Sequence, residues 1–458
     1  MKKLGVMLSA ILLGGALFGV ATGASATSRP KPIARGGHTS GIARPGARLS
    51  ARRPAVPSAT CSQPGATNYM ADCHSTGNPV NETWIASNGA GLVAGANDYN
   101  SYNGNADLGY YTSPDGKTWT DNGPLDLFPE GTNHAAGDPG LAVDQAGVVY
   151  YSGIYFDYVD CNVGGVELAR QDPATGSWSS YQIRANSDTE FQDKPAVAVD
   201  RRHVYVSWTH YGSCTGVGVT SPIKIAVFPV GSSSGPPIGI LSVPGSTYSQ
   251  GSAIVADKNG GLWVAWEEFP SSSATTGSIW LAHWRGPRAG WAAPFQITDS
   301  NFKDLPSPLP GFAFRDNSFP AIAIHNGSPN VVWCSYDTGV GRCYWWVSGA
   351  YVALSDTGGD QFFPSIVVDT NAQFSFSWSQ TNQATQTYDQ YLRVNATVTK
   401  ISTASSHPNQ DNVFGGAFIG DYNGIARIGT TAYPIWTDLR RNDPLYGGKA
   451  EDAIVYAP

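Results

Sequence analysis

DPGLAVDQAGVVYYSGIY, residues 138–155, returns 56 residues later as KPAVAVDRRHVYVSWTHY, residues 194–211. Each copy holds a short apolar run, a turn rich in Asp, Asn or Gly, and a second apolar run ending in an aromatic residue, the pattern of a β-hairpin. SAIVADKNGGLWVAWEEF (252–269), PAIAIHNGSPNVVWCSYD (320–337) and PSIVVDTNAQFSFSWSQ (364–380) repeat it, and TWIASNGAGLVAGANDYN (83–100) and DYNGIARIGTTAYPIWTD (421–438) are weaker copies. Anchored at Thr83, Pro139, Pro195, Ser252, Pro320, Pro364 and Asp421, the seven copies lie 44 to 68 residues apart, a period characteristic of propeller blades. Third and fourth strands follow the hairpin, as GVELARQ (165–171) and SYQIRA (180–185) do in the second copy, or SIWLAHW (278–284) and PFQIT (294–298) in the fourth. Four antiparallel strands per unit without helical periodicity predict an all-β fold, a β-propeller of seven four-stranded blades. The seventh copy supplies strands near NGIARI, AYPIWTD and DAIVYAP and then the chain ends, so its fourth strand is expected from the N-terminal side, around TNYMADC (67–73). Such closure leaves no exposed sheet edge to invite pairing with another chain.

Outside the repeats the chain opens with Lys2, Lys3, an apolar run from Leu4 to Val20 and the small-residue ASA at 24–26, which reads as a secretory signal over residues 1–26. Residues 27–60 are rich in Pro, Gly, Ser and Arg, hold no acid, and bury too little apolar surface to order themselves. They read as a basic leader, either a solvated spacer or an attachment to an anionic surface. Residues 61–458 form one propeller domain in this reading. With 28 basic and 35 acidic residues in the whole chain and 9 of the basic ones before residue 61, the folded part is near −16, a poor footprint for nucleic acid. Six cysteines fit an exported protein with disulfides, and their spacing suggests Cys61–Cys73, Cys161–Cys214 and Cys334–Cys343 among fifteen connectivities. No CxxC, HExxH or P-loop motif occurs.

SPDGKTW, residues 113–119, resembles the Asp box of the sialidase and BNR-repeat superfamily, one residue shorter between Asp and Gly than the common S-x-D-x-G-x-T-W. DPATGSW, residues 172–178, is a degenerate second copy. In chemical terms Asp115 can accept backbone N–H bonds, Gly116 permits a positive φ and Trp119 packs beneath the turn, with Ser113 and Thr118 completing the motif. It falls between the third and fourth strands of the first blade, on the face opposite the usual ligand mouth, so it marks the scaffold and not a reaction centre. GDYNGIARIGTTAYPIWTDLR, residues 420–440, is also similar to the C-terminal segment of secreted sialidase-like bacterial proteins.

In a propeller the loops entering each first strand, and those joining second to third strands, gather at the mouth. The entering loops carry Asp138, Glu190, Asp193, Arg315, Asp316, Asp360 and Asp421; the second-to-third loops carry Asp98, Tyr155, His210, Tyr211, Glu267, Tyr336, Asp438 and Arg440. Asp138, Asp193, Glu267 and Asp421 are the candidate catalytic carboxylates. Asp98, Tyr155, His210, Tyr211, Arg315, Asp316, Tyr336, Asp438 and Arg440 are candidate ligand contacts. Carboxylates serve as acid and nucleophile or bind sugar hydroxyls, and aromatic rings stack on sugar faces. An Asp ahead of a strand equally serves to satisfy backbone amides. Calcium is the candidate cofactor, at Asp98, Asn100 and Asp107 of the oxygen-rich loop 97–107, which lacks EF-hand spacing.

The resemblance implies a secreted, glycan-associated propeller, in which sialidases place three arginines, a Tyr–Glu pair and an Asp, usually in six blades. No F/Y-R-I-P motif occurs, the matching stretch reads NETWIAS from Asn81, and no catalytic residue carries over. Two functions stay open: a glycoside hydrolase of sialidase type, or a non-catalytic glycan- or protein-binding propeller. Two mouth carboxyls about 5 to 9.5 Å apart around a pocket would favour hydrolysis, whereas carboxyls paired with Lys194 or Arg315 would favour binding or stability. The expected partner is extracellular carbohydrate or glycoprotein, met by a monomer.

Overall fold

The computed structural model describes residues 59–62, 67–73, 78–100, 106–125, 134–157, 160, 162–213, 219–231, 235–257, 260–442 and 447–458. The expected signal and residues 27–58 of the expected leader lie outside the described residues.

Seven antiparallel sheets follow one another along the chain. Their first strands are Val80–Ser87, His134–Val143, Phe191–Val199, Ser249–Ala256, Ala321–His325, Gln361–Val368 and Gly424–Ile428. Each touches the first strand of the blade before and after it, the seventh meeting the first. The ring is therefore a seven-bladed β-propeller, and the six-bladed sialidase-type alternative is excluded. No helix among the described residues is long and apolar enough to cross a membrane.

Closure follows the expectation: Asn68–Met70 pairs antiparallel with Asp452–Tyr456 as the outermost strand of blade 7. One strand departs from it. Ala59–Ser62 pairs with Thr118–Leu125 as a fifth, outermost strand of blade 1, and Ala59 and Thr60 of it belong to the tract read as leader. ATCS has no periodicity to announce a strand; its edge position is set by the open side of its neighbour.

The core lies between blades. At one register of the second strands, blades 3 to 7 bury Trp208, Trp266, Trp333, Trp378 and Trp436, each at most 2% exposed. Three of these indoles donate to the residue two positions on, Glu268, Gln380 and Asp438, because alternate residues of a strand share a face. Blades 1 and 2 carry Ala96 and Gly153 at that register. A Cβ on Gly153 would come within 2.9 Å of Leu108 of blade 1, which occupies the space instead.

Five first strands share a β-bulge, at Glu82, Asp138, Lys194, Gly251 and Phe363. All five have left-handed backbone, φ between 49° and 59°. Four of them are not glycine, a conformation L-residues adopt only where the surroundings hold it. The ladder also moves the seventh repeat. Gly424 pairs with Ile435 as Ala253 pairs with Ala265, so Asn423, two residues after the expected anchor at Asp421, is the true counterpart of Pro139 and Pro364. The residue before each counterpart then reads Glu82, Asp138, Lys194, Gly251, Phe319, Phe363 and Tyr422 around the axis.

Candidate functional site

Those seven positions meet at the mouth end of the central channel. Lys194 Nζ lies 2.9 Å from Asp421 Oδ2 and 3.4 Å from Glu82 Oε1, and sits 4.3 Å from the Tyr422 ring centroid. Arg315 holds Asp421 with two bonds of 2.8 Å, approaches Glu82 Oε1 at 3.8 Å and stacks 4.4 Å from the Phe418 ring. The Asp138 side chain lies near those of Glu82 and Asp193, and its Oδ2 accepts the Lys194 backbone N–H at 3.3 Å. Asn97 donates to Glu82 Oε2 at 3.0 Å and accepts from the Asp138 N–H at 2.9 Å. Glu82 and Asp138 are 0% exposed, Asp421 2% and Lys194 5%.

Removal from water decides the protonation of the acids except where a cation outweighs it. Burial lifts Glu82 well above the usual carboxylate range, against the pull of Lys194 and Arg315. Burial likewise lifts Asp138 to about 6. For Asp421 burial acts the same way, but Arg315 and Lys194 overcome it and hold the carboxyl down at about 2. Burial would lower Lys194, and Asp421, Glu82 and Asp138 instead raise it. Asp421 is thus the acid that carries negative charge between the two cations.

The segments entering blades 5 and 7 are tied together on the mouth side of this network. Arg315 N–H donates to Ala417 O at 3.2 Å, Asn317 Nδ2 donates to Asp421 O at 2.9 Å, and Phe414 meets Tyr99 of blade 1 edge-on at 5.3 Å. Four of the residues singled out from the sequence, Asp138, Asp193, Arg315 and Asp421, therefore come together. Glu82, Phe319 and Tyr422 join them and were not singled out. Their only sequence signal is a column, the residue before the anchor of every repeat, which reads as noise until the bulge aligns it.

The remaining candidates stay apart. Glu267, 0% exposed, lies near the Asp304 carboxyl between blades 4 and 5, and burial with that like-charged neighbour keeps it well above the usual range. Asp316 is buried, and its N–H donates to Ser307. Asp438 accepts the Trp436 indole at 2.7 Å and a two-bond contact from Arg440 at 2.8 and 2.7 Å. Tyr155 Oη accepts from Gln182 at 2.6 Å, and Tyr211 is buried against Phe191. His210, partly exposed, has Nδ1 2.9 Å from Gln192 Oε1, and burial lowers its pKa. Tyr336 and Arg440 are also partly exposed.

Asp98, lifted by burial to about 6, accepts from Asn100 N–H at 2.8 Å, Asn100 Nδ2 at 2.7 Å and Tyr111 Oη at 3.0 Å. Asp107 accepts the Leu108 N–H, and residues 101–105 of the calcium candidate lie outside the described residues. Among the described residues no three His, Cys, Asp or Glu side chains are grouped to hold a metal. Cys334 and Cys343 form a disulfide across neighbouring strands of blade 5, Cys73 is disulfide-bonded, and Cys161 and Cys214 lie outside the described residues. In SPDGKTW, Asp115 Oδ1 accepts the Lys117 and Thr118 N–H groups at 2.8 Å, Ser113 Oγ accepts from Gly116, and the buried Trp119 indole donates to Gly116 O at 2.9 Å.

No protein-family profile matches the chain. No curated protein matches it either. Solved structures similar to it include a protein of unknown function from Dyadobacter fermentans (11% identity, TM-score 0.44, covering 70% of this chain and 95% of that one). Another is the Penicillium chrysogenum α-L-arabinanase complexed with arabinobiose (11%, 0.45, 69% and 93%). A third is the Trypanosoma rangeli sialidase in complex with sialic acid (11%, 0.42, 73% of this chain), of whose length the match spans 55%. Sialidases and arabinanases are β-propellers, and the fold of this chain stands on its own seven sheets.

Proposed function

We propose that this chain is a secreted, non-catalytic propeller that binds carbohydrate at the rim of its mouth. The observation that carries the reading is the fate of the candidate acids. Asp421 is held by Arg315 and Lys194, Asp138 accepts a backbone amide beside the buried Glu82 and Asp193, and Glu267 lies near the buried Asp304, with Asp421, Asp138 and Glu267 at most 2% exposed. Glycoside hydrolysis asks for two carboxyls flanking a space that a sugar can enter, and acids buried inside the protein do not provide it. The partly exposed His210, Tyr336 and Arg440 remain as groups that offer ring faces and donors to a polar, neutral ligand. The Cys334–Cys343 disulfide and the N-terminal signal pattern support export.

The test is affinity electrophoresis of the full chain in gels containing neutral or sialylated polysaccharide, alongside assays for released sugar. Retardation without release is the expected result, with at least tenfold weaker retardation for His210→Ala and Tyr336→Ala. Sugar release that disappears in a folded Asp421→Asn variant would make the network catalytic and overturn the reading.

A further inference from the structure

Beyond the network, away from the mouth, the channel widens into a cavity of about 250 Å³ along the propeller axis. Ile85, Leu141, Ile254, Ile322, Ile366 and Ile425 line it, one from each of six first strands and each two residues past the repeat anchor, together with the rings of Trp84, Phe319 and Phe363. Ala253, Ala321, Ile322 and Ile425 are partly exposed, so the space communicates with solvent.

Every polar side chain in this lining is already engaged within the protein. Lys194 and Asp421 face each other, and Tyr422 Oη donates to Pro139 O at 3.1 Å. Trp84 Nε1 donates to Leu141 O at 3.0 Å, and Ser252 pairs with Ser207 at 2.9 Å. Asn317 donates to Asp421 O and accepts the Phe319 N–H, Ser365 donates to Asn423 O, and Asn423 donates to Ser379. A charged guest would have to break one of these pairs or remain unpaired in an apolar tube. A neutral guest gains by displacing water from aliphatic and aromatic surface and loses nothing polar. The volume sets its size, because an apolar cavity of roughly 150 Å³ accepts benzene.

We propose that this axial cavity is a second binding site, independent of the rim, for a small neutral apolar molecule of one or two rings. Indole is the probe, titrated calorimetrically into the full chain, with benzoate and benzylammonium as the anionic and cationic counterparts. Indole should bind at least tenfold tighter than either. Ala253→Phe, which fills the space, should weaken indole binding at least tenfold while leaving polysaccharide retardation unchanged, and Ala321→Leu repeats the test should the larger residue prevent folding. The proposal is overturned if folded protein does not bind indole, if the charged probes bind as tightly, or if a folded filling variant binds indole as the parent does. Loss of polysaccharide binding alone would bear on the rim and not on this site.

Discussion

At its mouth end the central channel is stopped by Glu82, Asp138, Lys194, Arg315 and Asp421, whereas further along the first strands of six blades it is walled by Ile85, Leu141, Ile254, Ile322, Ile366 and Ile425. The two ends hold the ring by different means. Lys194 of blade 3 reaches Glu82 of blade 1 and Asp421 ahead of blade 7, so the charged end ties together blades that are not neighbours in sequence. The aliphatic end packs without directionality and leaves space. Interactions at the first end are specific and fail when one partner is lost; those at the second fail gradually with volume.

The largest expected effect breaks the charged end. Asp421→Ala leaves two buried cations facing each other and should cost about 3–5 kcal/mol in denaturant unfolding. The triple change with Lys194→Met and Arg315→Met should recover much of that loss, because it removes the unpaired charges as well; no recovery would mean that shape, not charge, matters there. Next comes pH. Asp138, raised to about 6, favours the folded state below about pH 4 and loses that contribution as pH rises to 6, whereas Asp421, depressed to about 2, loses its contribution as pH falls from about 4 to 2. Asp138→Asn should therefore flatten the decline between pH 4 and 6 by about 2 kcal/mol, measured as melting against pH, and leave the acid limb unchanged. At the aliphatic end Ile366→Val should cost about 1 kcal/mol, and a loss as large as that for Asp421 would erase the contrast between the ends. Least of all, Asp115→Ala, which removes two turn hydrogen bonds far from the channel, should cost about 1 kcal/mol or less and leave polysaccharide retardation untouched.

The blades were legible because each repeats one local pattern, and local pattern is what strand pairing reads. TNYMADC could be named as the closing strand because blade 7 lacked a fourth one. ATCS could not, since nothing in blade 1 was missing. At the channel the sequence showed which loops are acidic but not which residue Lys194 would meet. Glu82 lies 112 positions away from it and Asp421 lies on the far side of three further blades. The seventh anchor was misplaced by two residues because DYNG has Asn423 where four other repeats have Pro, and only the ladder between Gly424 and Ile435 fixes the register.

By itself, then, the sequence determined the number of blades, their order, the closing strand and the hydrogen-bonded turn at Asp115, all features written in stretches of twenty residues or fewer. The tertiary structure alone decided that the mouth acids are buried rather than presented. Charge in a loop is visible in sequence, but its partner is set by curvature of the ring, and a bulge of one residue in the first strands of blades 1, 2 and 3 turns Glu82, Asp138 and Lys194 toward a common axis.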